Sequence, residues 1–121
     1  MDTRNKILNA EAAPRACTVV TGAFDLVLAE DACELAGIRA SHPGRPLLAV
    51  VLPLPGPLLP QRARAELVAA LRMVDYVVIA DDAATEALLV SLEPAQLVRL
   101  EEAQAIRKRQ LMEHVHRRQT S

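Results

Sequence analysis

Carboxylates are the most concentrated chemical resource of this 121-residue chain: Asp25, Glu30, Asp31 and Glu34 fall within one short stretch behind Thr21 and Gly22. Acidic groups of this kind can hold Mg²⁺ and, through it, phosphates, provided that their oxygens converge. Successive residues of a helix turn by ~100°, so Glu30 and Asp31 diverge, and no metal is expected. Aligned instead with the first turns of a helix, the same carboxylates favour the helix itself, because anions suit its positive end. His114 and His116 stand two apart, ~200° around a helix axis, and cannot grip one metal together. His42 precedes a proline and is expected to be exposed in a loop, and Asp81-Asp82 is expected to cap a helix. Cys17 and Cys33 have neither Cys-x-x-Cys nor zinc spacing and are read as two buried thiols in a reducing compartment. No Ser-His-Asp grouping, glycine-rich phosphate loop or Cys-His nucleophile can be assembled.

The elements that must position these residues follow from apolar periodicity. Cys17 to Gly22 is a short β-branched run ending at glycine, hence a buried strand. Leu28, Ala32, Leu35 and Ile38 recur on one helical face, with Asp25 placed as its cap and Ser41 to Gly44 as its stop. Leu47 to Leu52 is unbroken and too short for a helix, which fits a central parallel strand. Pro53 to Pro60 contains four prolines and must be a loop, with Pro60 able to start the next helix. Leu67, Leu71 and Val74 mark the expected inward face of that helix. Tyr76 to Ile79 is a third strand entered through Asp75, and a helix opened by Asp82 is stopped by Pro94. Gln96 to Leu100 is a fourth strand or already helix.

Strands alternating with helices every ~30 residues imply right-handed βαβ units. The expected fold is therefore α/β: a small Rossmann-like three-layer domain over residues 1–100, with a parallel sheet of about four strands, followed by a helical extension over 101–121. Ligands in such folds sit beyond the carboxyl ends of the strands. That edge includes Thr21, Gly22, Asp25, Pro53 and Ala80 to Asp82.

Composition narrows the function. Half of the chain is hydrophobic, 51%, yet only 2% is aromatic, so no set of rings is present to stack single-stranded bases. The net charge of −1 argues against a dedicated nucleic-acid binder, although it is unevenly spread. Seven acidic residues and one basic residue lie between Asp75 and Glu102, and five basic residues and one acidic lie between Arg107 and Arg118. Prolines and Gly56 interrupt the longest apolar stretch, so no membrane span is expected, and no signal peptide is visible. A cytoplasmic location follows as the expectation. In the extension, Leu100, Leu111, Met112 and Val115 share a face that Gln104 and Lys108 interrupt. Residues 100–118 could pack on the domain or meet a partner, either a second copy or another protein.

Three segments carry a resemblance. Val20-Thr-Gly-Ala-Phe-Asp-Leu-Val27 before a helix resembles the start of cytidylyltransferase-like nucleotidyltransferases, which read Thr/Asn-Gly-x-Phe-Asp, two residues, then His-x-Gly-His. Arg62 to Ile79 resembles the family's Glu-Arg-x-x-x-Leu-x-Ala-Leu-x-x-Val-Asp-Tyr-Val segment, and Glu93 to Arg99 resembles its Pro-Asp-x-Leu-Val-Lys-Gly strand. Asn5 to Leu8 is similar to the stretch before the domain in bacterial ADP-heptose synthases. The likeness covers residues 5–100 and is greatest to the adenylyltransferase domain of ADP-heptose synthase and to glycerol-3-phosphate cytidylyltransferase. It implies a Rossmann-like fold and transfer of AMP or CMP to a sugar- or polyol-phosphate, with release of pyrophosphate. Thr21, Gly22, Phe24, Asp25 and Arg64 would be the residual nucleotide-binding positions.

The catalytic positions depart from the family. Its two histidines fall on Leu28 and Asp31 and its glycine on Glu30, so no catalytic residue is carried over. Leucine has no donor and a carboxylate has the wrong charge for a triphosphate. A like-charge contact at ~4 Å costs ~1 kcal/mol in water and ~4 at an effective dielectric of ~20. Two lost donors add ~2.7–4 kcal/mol each, which together would abolish useful turnover. The proline loop lacks the family's lysine-bearing segment, and the later Ser/Thr-Ser/Thr-x-x-Ile motif has no counterpart. The expectation is a catalytically degenerate domain, a pseudoenzyme serving as a binding or regulatory module without a cofactor. A divergent active transferase using Mg²⁺ with ATP or CTP, and a module working through its basic C-terminal helix, are the alternatives.

Overall fold

The computed structural model describes residues 2–25, 27, 29–81 and 84–120. Strands β1 (Thr18–Gly22), β2 (Leu47–Val51), β3 (Tyr76–Ile79) and β4 (Gln96–Arg99) form one parallel sheet in the order β3-β2-β1-β4. Helices α1 (Ala29–Ser41), α2 (Gln61–Ala69) and α3 (Thr85–Ser91) alternate with them, and α4 (Glu101–Thr120) follows β4 directly. The fold is thus the α/β, Rossmann-like arrangement that the alternation of apolar runs and helical faces implies, with a C-terminal helix.

The direction of each crossover decides the layers. The chain moves from β1 to β2 to β3 one way, then returns to the far side of β1 for β4. Right-handed crossovers taken in opposite directions place their helices on opposite faces of the sheet. Leu35 of α1 and Ala65, Val68 and Ala69 of α2 accordingly pack on Val20, Ala49, Val51 and Val77. Leu89 of α3 and Leu92 after it pack on Val19, Leu48, Val50 and Val78, together with Ala13 and Cys17. Alternate residues of β1 and β2 feed different cores, which is why both strands are buried along their whole length.

The two sheet edges differ. Leu8 N donates to Val77 O at 2.8 Å, so the chain before β1 partly covers β3, and Lys6 Nζ donates to Leu71 O and Val74 O beneath it. On β4, Gln96, Leu97 and Arg99 are exposed and Val98 is half-buried, as suits an edge strand.

Several expectations need correction. Leu67 is 46% exposed, because the inward face of α2 is made by Arg64, Ala65, Val68 and Ala69. Cys33 is exposed, whereas Cys17 is buried with its thiol pushed up, chiefly by burial and secondarily by Asp75. His42 is half-buried, its Nδ1 lying 3.0 Å from Ile38 O at the end of α1. Gln96 to Arg99 resolves as strand. Asp82 and Leu28 lie outside the described residues.

Truncating the fully buried Leu35 to Ala should cost ~2–5 kcal/mol, because a core cavity adds to the lost transfer energy. Leu67→Ala should stay within ~0.5 kcal/mol. Urea melts with unchanged slopes would measure both, and a large loss at Leu67 would contradict the burial pattern.

Candidate functional site

The return to the far side of β1 makes a topological switch between β1 and β4, and a crevice is expected beyond their carboxyl ends. Since α4 starts immediately after β4, its first turns lie across that crevice. At Gly22, a Cβ would overlap the amide of Gln104, so the missing side chain is what makes room for that amide. Phe24 follows with φ of 52°, a left-handed conformation that costs a non-glycine residue ~1–3 kcal/mol. Its ring is buried in the core beside Leu35, and its N–H donates to Gln104 Oε1 at 3.1 Å. Thr21 Oγ1 donates to Glu101 Oε2 at 2.6 Å.

Asp25 is only 4% exposed and does not cap α1, which begins at Ala29. Its carboxylate accepts from Leu58 N at 2.9 Å and Leu59 N at 3.0 Å in the proline loop, and it pairs with Lys108 of α4. Burial by itself would raise its pKa. The two amides and the ammonium more than offset that, and hold the carboxyl below the usual carboxylate range.

Arg64 is 1% exposed, among the least accessible side chains. Its guanidinium donates to Leu59 O at 3.1 Å, Ala23 O at 2.7 Å and Leu52 O at 2.9 Å. The Leu59 backbone is thereby held at its carbonyl by Arg64 and at its N–H by Asp25. Gln61 Nε2 reaches Val51 O at 3.0 Å and Ala80 O at 2.6 Å, tying together the ends of β2 and β3.

Arg107 of α4 meets both Asp31 and Glu34 (Oε1 at 2.8 Å) on α1. Burial would lower its pKa, but the two carboxylates raise it above the ordinary arginine value. Asp31 is buried and Glu30 exposed. The structure therefore gathers Thr21, Gly22, Phe24, Asp25 and Arg64 at one edge, together with four residues that sequence reasoning did not assign to it: Gln61, Gln104, Arg107 and Lys108. The signal for the last three was present, since Leu100, Gln104, Arg107, Lys108 and Leu111 follow helical spacing. The polar members appeared to interrupt the apolar face and in fact form the docking face.

Beside this seam, between α4, the turn Ala23–Asp25 and the loop Leu52–Leu54, lies a pocket of about 470 Å³. Met112 and Ala105 line its helical side, Leu52, Pro53 and Leu54 its loop side, and Glu101, Lys108 and Arg109 also border it. Among the described residues, no group of three or more His, Cys, Asp or Glu could hold a metal ion, and no helix is long and apolar enough to cross a membrane. No protein-family model matches the chain, and no curated protein matches it.

Two measurements test the seam. Lys108→Met removes one partner of a buried pair and should cost ~3 kcal/mol at neutral pH. Because the folded-state pKa of Asp25 is depressed, its stabilisation is present above the ordinary carboxylate range and lost as pH falls through the folded value. The gap in stability between the native chain and Asp25→Asn should accordingly close below about pH 4. Gly22→Ala should lose ~0.5–1.5 kcal/mol, chiefly the Phe24–Gln104 hydrogen bond given up as Gln104 moves aside. Much of that loss should disappear in a Gln104→Ala background; strictly additive costs would refute the close approach.

Proposed function

We propose that this chain is a catalytically degenerate nucleotidyltransferase-like domain, of the cytidylyltransferase-like kind its motifs resemble, that acts as a binding or regulatory module in the cytoplasm. One observation carries this reading: Gln104 of its own C-terminal helix occupies the space against Gly22 and takes the Phe24 N–H. A phosphate approaching the β1 edge would need that space and donors of that kind.

The charges support the same conclusion. Arg64, the cation that the resemblance assigns to nucleotide, is spent on three carbonyls inside the protein. Asp31, at a position where the family has a histidine, is matched by Arg107 instead. Asp25 is closed off by two amides and Lys108. A triphosphate would have to displace α4 and expose Phe24 and Asp25 before meeting any of these groups. Beyond the docked turns, Met112 and Val115 are 49% and 46% exposed, which favours a role for the distal half of α4 in contacting a second copy or another protein.

Calorimetry with ATP and CTP, with and without Mg²⁺, should show no saturable binding to the intact chain. Incubation with sugar- and polyol-phosphates should release no pyrophosphate. Binding tighter than ~100 μM, ~5.5 kcal/mol, would favour an active divergent transferase, and turnover abolished by Asp25→Ala or Arg64→Ala would establish one. Sedimentation of Met112→Glu/Val115→Glu beside the native chain reads the partner role, with self-association expected to fall if a second copy is the partner.

A further inference from the structure

We propose that the pocket beside α4 binds an amphipathic monocarboxylate of medium chain length, with its carboxylate on Arg109 and its chain against Leu52, Leu54 and Met112. The inference deepens the binding-module reading and rests on it, since the pocket has this form only while α4 stays docked.

The volume, about 470 Å³, lies within the ~300–1,000 Å³ typical of small-molecule sites. The walls supplied by Ala23, Leu52, Pro53, Leu54, Ala105 and Met112 are apolar and suit a hydrocarbon chain. The bordering charges are not equivalent. Lys108 is matched by Asp25, and the Glu101 carboxylate is turned to the Thr21 hydroxyl. Arg109 is exposed and has no ion-pair or hydrogen-bond partner among the described residues, so it is the cation available to an incoming anion. Glu101 lies eight residues earlier, ~12 Å along the helix axis, and repels a carboxylate from that end. The anionic group is thereby oriented toward Arg109.

Gln104 also borders the pocket, but its amide is packed against Gly22 and its oxygen accepts from Phe24 N–H, so it forms part of the wall and leaves Arg109 as the polar anchor.

The test uses the full chain and amide-resolved NMR titration with octanoate and octylamine, with ATP in parallel. Octanoate should shift the amides of Leu52, Leu54, Gln104 and Met112 saturably, with a Kd below about 1 mM. Octylamine should bind at least tenfold more weakly. Arg109→Gln, at an exposed position, should weaken octanoate at least fivefold, as should Met112→Glu through charge repulsion. Absence of saturable shifts, equal binding of octylamine, or an unchanged affinity in Arg109→Gln each overturns the proposal. ATP binding would instead remove the reading beneath it, so the two failures are told apart.

Discussion

A carboxylate withdrawn from water must be met by donors, and Asp25 is where this protein meets that demand. Its charge joins three places in the sequence: the turn after β1 that carries it, the Leu58–Leu59 amides of the proline loop, and Lys108 of α4. Joining those segments around one buried charge makes them a single unit. Arg64 repeats the arrangement with opposite sign, holding Ala23, Leu52 and Leu59 by their carbonyls. Loops at the carboxyl edge of a parallel sheet are usually the parts left free to take a ligand. Here the anion and the cation are both spent on fixing them.

Sheet order explains why α4 is the element that closes this edge. Because β4 lies on the far side of β1, the chain leaving β4 emerges at the crevice between the two strands. A helix starting there has its first turns over Gly22 and Phe24 before it can go elsewhere. The acidic start of α4 suits its own positive end, and the basic residues one to two turns later meet the carboxylates of Asp25, Asp31 and Glu34. The acidic beginning of α1 and the basic run of α4 are therefore two halves of one docking surface.

This pairing changes the meaning of the acidic cluster. Considered alone, Glu30, Asp31 and Glu34 are groups that repel a phosphate. Beside Arg107, Asp31 and Glu34 are also the groups that hold α4 over the β1 edge. The side chains that would repel an anion are thus the ones that anchor α4, and the space left over is the apolar pocket between α4 and the proline loop.

The α/β architecture was legible residue by residue, because β-branched runs, helical spacing and proline stops are local signals. Thr18–Gly22, Leu47–Val51 and Tyr76–Ile79 lie where those signals put them. Thr21, Gly22, Phe24 and Asp25 were legible as one cluster because they are contiguous. What local pattern could not convey was the partner of each charge. Asp25 has the chemistry of a helix cap, Leu67 the spacing of a core residue, and Gln104 and Lys108 look like breaks in an apolar stripe. Asp25 is reversed by Leu58 and Lys108 and Gln104 by Gly22, all far away in the chain, whereas Leu67 is left exposed because Arg64, Ala65, Val68 and Ala69 make the inward face of its helix. By itself the sequence determined which segments form strands and helices, since that depends on neighbours a few residues apart. Only the tertiary structure decided that the C-terminal helix lies over the edge where a ligand would sit, since that depends on burying and matching charges more than seventy residues apart.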